Sequence, residues 1–335
     1  MRSFGFSLLV VLFVAALGAP VFAPYAEDAQ FRGWLNAPPT FPHVRDAGGG
    51  WHLPYIYVWK LTNQLEQRYE QDRSQRVSLT WFPDGFAGGR VVASSDASRM
   101  PLFLLGADSY GRDVFSRLLH GARISLALSL ASAAGALVIG ALVGGIAGYA
   151  GGLLDDLLMR GTDFVLVLPA MYVALALRSV LRLVLPPVEI FALLTGIFAV
   201  VGAPFIARGV RAIVRSEKQL DYSVAALSLG AGHTRLLLRH LLPAARGFVA
   251  VEIVMLVPAF IVAEATLSYV GLGFPDPVAS WGTMLHDASS VRAFADFPWL
   301  LSPAAAMFLV VLGLNLVMQR TGIAPVYNDN VERRT

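Results

Sequence analysis

Six long apolar runs constrain the fold of this chain more than any other feature of its sequence. Each is close to the ~20 residues that an α-helix needs to cross about 30 Å of hydrocarbon, and they cover residues 3–24, 124–148, 164–185, 188–207, 247–268 and 299–318. Lipid offers the backbone no hydrogen-bond partners, and the runs lack the alternation of a β-barrel. Because only 15% of the residues are charged, against about a quarter in soluble domains, the sequence predicts an all-α polytopic membrane protein with about six transmembrane helices.

The distribution of charge predicts the orientation of these helices. Residues 25–121 hold ten basic and ten acidic side chains, whereas residues 206–246 hold seven basic and two acidic ones. Cytoplasmic loops of membrane proteins are enriched in Lys and Arg, so we expect the amino terminus, 206–246 and the tail 321–335 inside and 25–105 outside. The first stretch, 1–24, is either a cleavable signal or a retained transmembrane helix, and its length favours the helix.

The outer segment 25–105 is predicted to form a small folded α+β subdomain. It is too aromatic for a disordered loop, since it holds four of the six tryptophans, Trp34, Trp51, Trp59 and Trp81. Its run KLTNQLEQRYEQDRSQR places Leu61, Leu65 and Tyr69 four residues apart, a spacing that predicts a helix. The following RVSLTWF, PDG and GRVVAS predict a β-hairpin.

Small residues recur in the second apolar run. Gly140, Gly144 and Gly148 lie four residues apart, so one face of the predicted helix lacks side chains and another helix can approach it closely. That neighbour is either a helix of the same chain or a helix of a second subunit. The spacing itself leaves both alternatives open.

A segment too polar to cross the membrane lies between the fourth and fifth runs. This segment, 221–243, reads DYSVAALSLGAGHTRLLLRHLLP. The pattern predicts a helix over 221–229 that ends at a left-handed Gly230. A second helix over 233–242 is expected to stop at Pro243.

The two predicted helices present different surfaces. Ala225, Ala226 and Leu229 form a small, flat apolar face on the first helix. On the second helix one side is expected to carry Leu237, Leu238 and Leu241, with Arg235 and Arg239 on the others. Such an angled pair suits the groove of a protein partner, and it equally suits an amphipathic element that rests on lipid.

The same segment resembles the EAA loop of ATP-binding-cassette (ABC) import permeases, whose pattern is E-A-A, three residues, G, nine residues, I, one residue, L-P. Val224 stands at the glutamate position and Leu227 at a common arginine position, which leaves Asp221 as the candidate for a replacement charge. In that family the loop docks on the ATPase subunit. The resemblance therefore implies a coupling surface made of Asp221, Ala225, Ala226, Leu229, Gly230, Arg235, Arg239, His240, Leu242 and Pro243.

Three further stretches are similar to dipeptide and oligopeptide permeases. LGADSYGRDVFSRLLHGARISL, residues 105–126, resembles the signature G-T-D-x-x-G-R-D-x-x-S-R-x-x-x-G-A-R, with Ala107 at the threonine position. We expect an amphipathic entry helix there, with Val114 and Leu118 facing inward and i,i+4 ion pairs between Asp108 and Arg112 and between Asp113 and Arg117. Gly111 belongs to the same candidate set through its match to the signature. AEATLSYVGLGFPDPVASWG resembles the fifth span and its outer loop, and GYAGGLLDDLLMR resembles an inside turn.

Ionisable residues in or beside the apolar runs are functional candidates, because exposing a charge to lipid costs roughly 3 kcal/mol or more. Glu264 matches a family glutamate, which implies a structural or gating role, and Glu252 is a weaker gating candidate. Arg178 and Arg182 are expected to reach the outer headgroups. Anchoring on anionic lipid is expected for Arg208, Arg211 and Arg215.

Signatures of enzymes do not occur in the sequence. It contains no G-x-x-x-x-G-K-[ST], H-E-x-x-H or G-x-S-x-G motif. It has no cysteine, and its six histidines do not have metal-ligand spacing. We therefore predict no catalytic residue, metal site or cofactor on this chain.

The resemblance covers residues 105 to about 320 and implies the arrangement of a type I ABC importer, with a permease domain at 106–320 that contains the loop 206–246. It implies a multi-pass permease subunit in the inner (cytoplasmic) membrane. The implied partners are a second permease, two ATPases that bind ATP and Mg, an extracytoplasmic substrate-binding protein and membrane lipid, without nucleic acid. The implied cargo is di- or oligopeptides. The alternatives are an ion-gradient-driven secondary transporter and an ABC permease for nickel or another small solute.

Overall fold

The computed structural model describes residues 2–45, 50–83, 90–168, 172, 176 and 185–318. The strands are β1 His43–Arg45, β2 Trp51–Asn63, β3 Arg68–Trp81 and β4 Val92–Ser94. The longer helices are α1 Arg2–Leu17, α3 Val114–Ala150, α4 Gly152–Val167, α5 Pro187–Glu217, α9 Arg246–Tyr269 and α12 Ser302–Met318. The short ones are α2 Ala19–Phe22, α6 Asp221–Ser228, α7 His233–Leu236, α8 Leu242–Ala244, α10 Trp281–Asp287 and α11 Val291–Asp296, with a π-helix Leu237–Leu241 and a 3₁₀ turn Pro298–Leu301.

Among the described residues, four helices are long and apolar enough to cross a membrane: α3, α5, α9 and the helical stretch Pro298–Val317. Helix α1 is apolar but shorter. The third apolar run begins within α4, and most of it, including Arg178 and Arg182, lies outside the described residues, as does the tail 321–335. A polytopic helical protein is therefore observed, whereas the count of six spans stays a prediction.

Helices α3 and α5 pack with their backbones in contact along the glycine-rich face. A Cβ atom at Gly140 would lie 2.7 Å from the carbonyl oxygen of Ala203, and one at Gly148 would lie 2.6 Å from that of Arg211. At Gly144 it would overlap the carbonyl of Ala207. The small-residue face thus serves packing within the chain, which decides between the two alternatives that the sequence left open.

The remaining long helices pack around this pair. Helix α9 contacts α5 through Phe198 and Phe260, whose rings stack with centroids 5.5 Å apart. Helix α1 lies against α12, where a Cβ at Gly5 would meet Leu316. Fully buried side chains such as Leu128 on α3 fill the space between them.

The outer segment is a four-stranded antiparallel sheet in the order β1-β2-β3-β4. The helix predicted for KLTNQLEQRYEQDRSQR is wrong, because this run forms the end of β2, a turn and β3. Leu61 pairs with Tyr69 across the hairpin, while Leu65 lies exposed in the turn, so a tight hairpin produces the same four-residue spacing as a helix. The β-hairpin predicted for RVSLTWF, PDG and GRVVAS is confirmed, since Trp81 pairs with Val92. The described residues between 25 and 105 contain strands and no helix. The prediction of an α+β subdomain is therefore corrected to a subdomain made of a β-sheet.

The sheet packs on the segment that leads into α3. Ile56 and Val77 from the strands share a buried cluster with Met100, Leu102 and Phe103. Backbone N–H groups of that segment are also held, since Leu102 donates to the Tyr25 hydroxyl at 2.8 Å. The sheet and the start of α3 are therefore joined by an apolar core.

We expect Gly144→Ala to lower the free energy of unfolding by about 1–3 kcal/mol or more, because α3 and α5 must move apart to accommodate the methyl group. Gly196→Ala on α5 is the matched control. Nothing lies within 4 Å of a Cβ at Gly196, so this change should stabilise α5 by about 0.5–1 kcal/mol. Thermal unfolding of both variants in detergent measures the difference. Equal melting temperatures would contradict backbone contact between α3 and α5.

Candidate coupling segment and outer ionic cluster

The coupling segment, residues 221–243, begins with α6 and bends at a glycine. Gly230 has φ +85°, as predicted. The N–H of Ala231 donates to the carbonyl of Ala226 at 3.0 Å, and the N–H of Gly230 donates to that of Leu227 at 2.9 Å. This pair of bonds is a Schellman motif, which satisfies carbonyls at the end of a helix. The bend is therefore a defined structure.

The second half of the segment differs from the prediction. Pro243 does not stop a helix over 233–242, because it lies in the first turn of α8 and helical turns continue to Ala244. A π-helix, Leu237–Leu241, precedes it. Proline lacks an N–H and its ring crowds the carbonyl four residues earlier. A π turn, with its i→i+5 pattern, accommodates the proline without ending the helical course.

The π-helix also changes which leucines are buried. Leu236 and Leu241 are both fully buried, and their spacing of five matches a π turn, whereas Leu238, which was predicted on the same side as Leu241, is 57% exposed. Leu237 is partly buried and packs against the core. Leu236, and not Leu238, therefore lies on the buried side together with Leu241.

Polar contacts attach the segment to the end of α3. A short hydrogen bond joins the Tyr149 hydroxyl to Nδ1 of His233. Lys218 Nζ donates to the Tyr149 carbonyl at 2.7 Å and lies 4.7 Å from the centre of its ring. The hydroxyl of Ser223 donates to the carbonyl of Glu217 at 2.8 Å, so the base of α6 is also held to the end of α5.

The outward face of the segment remains open. Leu229 is 89% exposed and Val224 is 54% exposed, and Ala225 between them is exposed as well. Ala226 and Leu242 are partly buried, and the other predicted coupling residues are exposed, namely Asp221, Gly230, Arg235, Arg239, His240 and Pro243. An apolar face on a rigid support is typical of an interaction surface.

The three arginines near the carboxyl end of α5 were predicted to anchor on lipid, but they bind carboxylates of α4. Arg211 holds the buried Asp155 through two bonds, Nε to Oδ1 at 2.5 Å and Nη2 to Oδ2 at 2.7 Å. Arg215 lies 3.8 Å from the same carboxylate, and Arg208 pairs with Asp163 at 2.5 Å. The Arg211 guanidinium holds the pKa of Asp155 below its ordinary value.

An ionic cluster surrounds the other end of α3. Arg112 is wholly buried, and each of its three guanidinium nitrogens binds a different carboxylate. The distances are 2.6 Å from Nε to Asp108, 2.5 Å from Nη1 to Asp276 and 2.9 Å from Nη2 to Asp287. Arg117, also buried, lies 3.7 Å from both Asp108 and Asp287.

This geometry corrects the predicted amphipathic helix over 105–126. The helix begins only at Val114, which is buried as expected, and Asp113 is its N-cap, accepting from the Ser116 N–H at 2.8 Å. Asp113 therefore does not pair with Arg117. Gly111 has φ +75°, and any side chain there would overlap the carbonyl of Phe31.

The sequence reasoning missed Asp276 and Asp287. Asp276 lies in the quoted stretch GFPDPVASWG and Asp287 ends α10. A signal for both exists in the sequence. Two buried arginines at the start of an apolar helix need carboxylate partners, and these two aspartates lie on the same predicted side of the membrane.

Glu264 is fully buried where α9, α3 and α10 meet. Its carboxylate accepts from the hydroxyls of Ser268 at 2.7 Å and Ser125 at 3.0 Å. Ser125 in turn accepts from the backbone N–H of Trp281 at 3.2 Å. Glu252 is only half-buried, and no hydrogen bond or ion pair joins its side chain to the described part of the chain.

Comparison with known proteins identifies the family to which this chain belongs. Residues 118–321 match the family described as "binding-protein-dependent transport system inner membrane component". The chain belongs to this family. Its members are transport permeases of ABC systems rather than enzymes, so the chain is a multi-pass membrane permease and the resemblance in the sequence is confirmed. Family membership also excludes the ion-gradient-driven alternative.

Three relatives show the extent of the similarity. The oligopeptide transport system permease protein OppC of Bacillus subtilis is 38% identical over 213 residues, which are 63% of this chain and 67% of the relative. The glutathione permease GsiD of Pectobacterium atrosepticum is 36% identical over 64% of this chain and 68% of its own. The di/tripeptide permease DppC of Pseudomonas aeruginosa is 31% identical over 93% of this chain and 82% of its own.

We expect Arg112→Met to lower the free energy of unfolding by about 3–5 kcal/mol, because it removes the cation bonded directly to the buried carboxylate of Asp108 and to the partly buried one of Asp287. Only Arg117, 3.7 Å from each of them, then remains as a cation beside them. Asp276→Asn removes a partner that is 63% exposed, so water replaces it and the loss should stay below about 1 kcal/mol. Chemical denaturation in detergent compares the two variants. Losses of similar size would show that Arg112 does not organise the cluster.

Burial raises the pKa of Asp113 to about 7, and the Oδ1 atom of this residue has no hydrogen-bond partner among the described residues. Between pH about 4 and 7 the folded protein therefore binds more protons than the unfolded chain, and the free energy of unfolding falls as pH rises. Asp113→Asn keeps the acceptor for the N-cap and should remove this dependence, worth up to about 4 kcal/mol. Melting temperatures from pH 5 to 8 measure it. Parallel curves for the two proteins would refute the assignment.

Proposed function

We propose that this chain is one permease subunit of an ATP-driven importer for di- and oligopeptides. The cargo is supported by the relatives, which are named as permeases for oligopeptides, di/tripeptides and glutathione. In this proposal the assembly contains a second permease, two ATPases that bind ATP and Mg, and a substrate-binding protein. The amino terminus and the coupling segment lie in the cytoplasm, and the β-sheet lies outside.

The observation that carries the proposal is the coupling segment. Its apolar face, centred on Ala225 and Leu229, is exposed, although Leu236, Leu241 and the Schellman bend hold its base in one conformation. A surface helix with apolar residues turned to solvent is suited to a groove on a partner. A rigid base transmits a push from that partner instead of absorbing it. We therefore assign ATPase docking to this face.

In this proposal helix α3 transmits movement from the coupling segment to the opposite end of the helix. At 1.5 Å per residue, its 37 residues extend for about 55 Å. Tyr149 at one end holds the coupling segment, and Asp113 at the other end lies beside the ionic cluster of Arg112. Movement of the ATPases would displace the inner end of α3, and the close contact of α3 with α5 would carry both helices together. The transport pathway would then open alternately to the two sides.

Glu264 fits a structural role in this mechanism. Its two serine partners lie on α3 and α9, and Ser125 also holds the start of α10. The carboxylate therefore ties three elements at the outer half of the bundle, which must move as a unit if α3 rocks. Glu252 remains a weaker candidate for a gate.

We expect Ala225→Trp to abolish ATP-driven peptide uptake while the melting temperature of the chain stays within a degree or two, because Ala225 is exposed and a large ring there blocks only a docking partner. Gly230→Pro should also abolish uptake, since proline fixes φ near −65° and cannot adopt the observed +85°. Uptake into proteoliposomes that contain the whole assembly measures both effects.

Gln219→Trp is the matched control. Gln219 is exposed and lies just outside the coupling segment, so this variant should transport normally. Normal coupling of ATP hydrolysis to uptake in Ala225→Trp would overturn the assignment of the docking face.

A further inference from the structure

A cleft of about 740 Å³ lies between the β-sheet and the segment that precedes α12. One wall is the turn between β2 and β3, residues 64–67, with Trp59 and Tyr69 beside it. The opposite wall is the end of α11 and the 3₁₀ turn, including Phe297 and Trp299. The volume falls within the ~300–1,000 Å³ of small-molecule sites.

Two buried polar atoms in the lining of this cleft have no hydrogen-bond partner in the described part of the chain. They are the Oδ1 atom of Asn36 and the indole Nε1 of Trp59. Asn36 is only 7% exposed, and its other amide atom, Nδ2, is held by Gln67 at 2.6 Å. An unpaired buried polar group is costly and rare in native proteins, so a retained pair of this kind points to a ligand.

Several groups around these two atoms are held by contacts with the rest of the chain. The Trp34 and Tyr69 rings stack 6.1 Å apart, and the indole N–H of Trp299 donates to the Ala107 carbonyl at 3.0 Å. Asn36 is itself fixed by its backbone N–H, which donates to the carbonyl of Asp108 at 2.9 Å. The Tyr69 hydroxyl is also satisfied, since it donates to the Leu35 carbonyl at 2.8 Å. Among the described residues that line the cleft, the unpaired buried side-chain atoms are the donor of Trp59 and the acceptor of Asn36.

The chemistry of the missing ligand follows from this pair. The indole N–H needs an acceptor, and the amide oxygen needs a donor. A secondary amide supplies both, and a peptide backbone repeats them along its length. Tyr69, Phe297 and Trp299 offer ring faces for apolar side chains. Charges of both signs at the rim suit the two ends of a short zwitterionic peptide, since weak exposed pairs can exchange partners: Arg68 with Glu66 and Arg292 with Asp296.

We propose that this cleft binds a short peptide, with a backbone carbonyl accepting from Trp59 Nε1 and a backbone N–H donating to Asn36 Oδ1. The choice of a peptide among amides rests on the proposed function. The site would hold cargo on the permease itself, at the edge of the sheet, separately from any substrate-binding protein. Because Asn36 bonds to the backbone of Asp108, the site is also connected to the ionic cluster that begins α3.

The test is calorimetric titration of trialanine into the full-length chain in lipid nanodiscs, without other subunits. Trp59→Phe keeps a ring and removes the N–H, so binding should weaken about tenfold or more. Trp81→Phe is the matched control, because Trp81 is an exposed indole on the same sheet outside the cleft, and its affinity should equal that of the original protein. Trp59→Phe removes no hydrogen bond within the described chain, so its melting temperature should not fall by more than a few degrees.

A second probe needs no variant. Trialanine methylated on its peptide nitrogens cannot donate to Asn36 Oδ1, and it should bind the original protein about tenfold more weakly. This comparison decides the question even if Trp59→Phe does not fold.

Equal affinities in both comparisons, or no binding of trialanine at millimolar concentration, would overturn the proposal. Crosslinking of the purified substrate-binding protein from position 67, together with absence of peptide binding, would show that the cleft receives a protein instead. None of these results depends on ATP. Failure of the peptide site is therefore distinguishable from failure of the proposed transport function, which is measured as uptake by the whole assembly.

Discussion

Contact between the backbones of α3 and α5 is the constraint on which the rest of this structure depends. Gly140, Gly144 and Gly148 leave no room for a side chain, so the two helices meet over much of their length. In a membrane, close packing of this kind replaces the hydrophobic effect as the force that joins helices. Helix α9 then packs on the pair, and the ends of α3 and α5 place the functional surfaces.

Those surfaces are built differently at the two ends. At the end that carries the coupling segment an apolar face is left exposed on a firmly held support, which suits repeated docking. At the opposite end of α3 charges are buried and almost fully paired around Arg112, which costs desolvation energy and requires precise partners. The arrangement is consistent with a partner that binds and releases at one end and with elements that move together at the other.

The comparison of sequence and structure shows where local patterns are ambiguous. Leu61, Leu65 and Tyr69 have helical spacing, yet they lie in a β-hairpin, because a four-residue period also results when two of them pair across a turn. Asp113 has the i,i+4 spacing of an ion pair with Arg117 but caps the helix instead, since the helix begins one residue later. In the first place the element is a different one from that predicted, and in the second the start of the helix lies later than predicted.

Within the candidate site, some features could be predicted from the sequence and others could not. The bend at Gly230 and the open face at Ala225 follow from glycine geometry and from short-range spacing, and both were predictable. The π-helix before Pro243 and the burial of Leu236 in place of Leu238 were not, because they depend on how the segment fits against α3. The carboxylates of Asp276 and Asp287 come from positions more than 150 residues away along the chain from Arg112, beyond the reach of any local pattern.

The sequence by itself determined that the chain is a helical membrane protein, which face of α3 is bare, and where its polar segment bends. Hydrophobic length and backbone stereochemistry act over a few residues and need no tertiary context. Only the tertiary structure decided that α5 covers the glycine face, which carboxylates neutralise the buried arginines, and that Asn36 and Trp59 line one cleft. These are contacts between distant parts of the chain, and their energies depend on distances and burial that exist only after the helices and the sheet have packed.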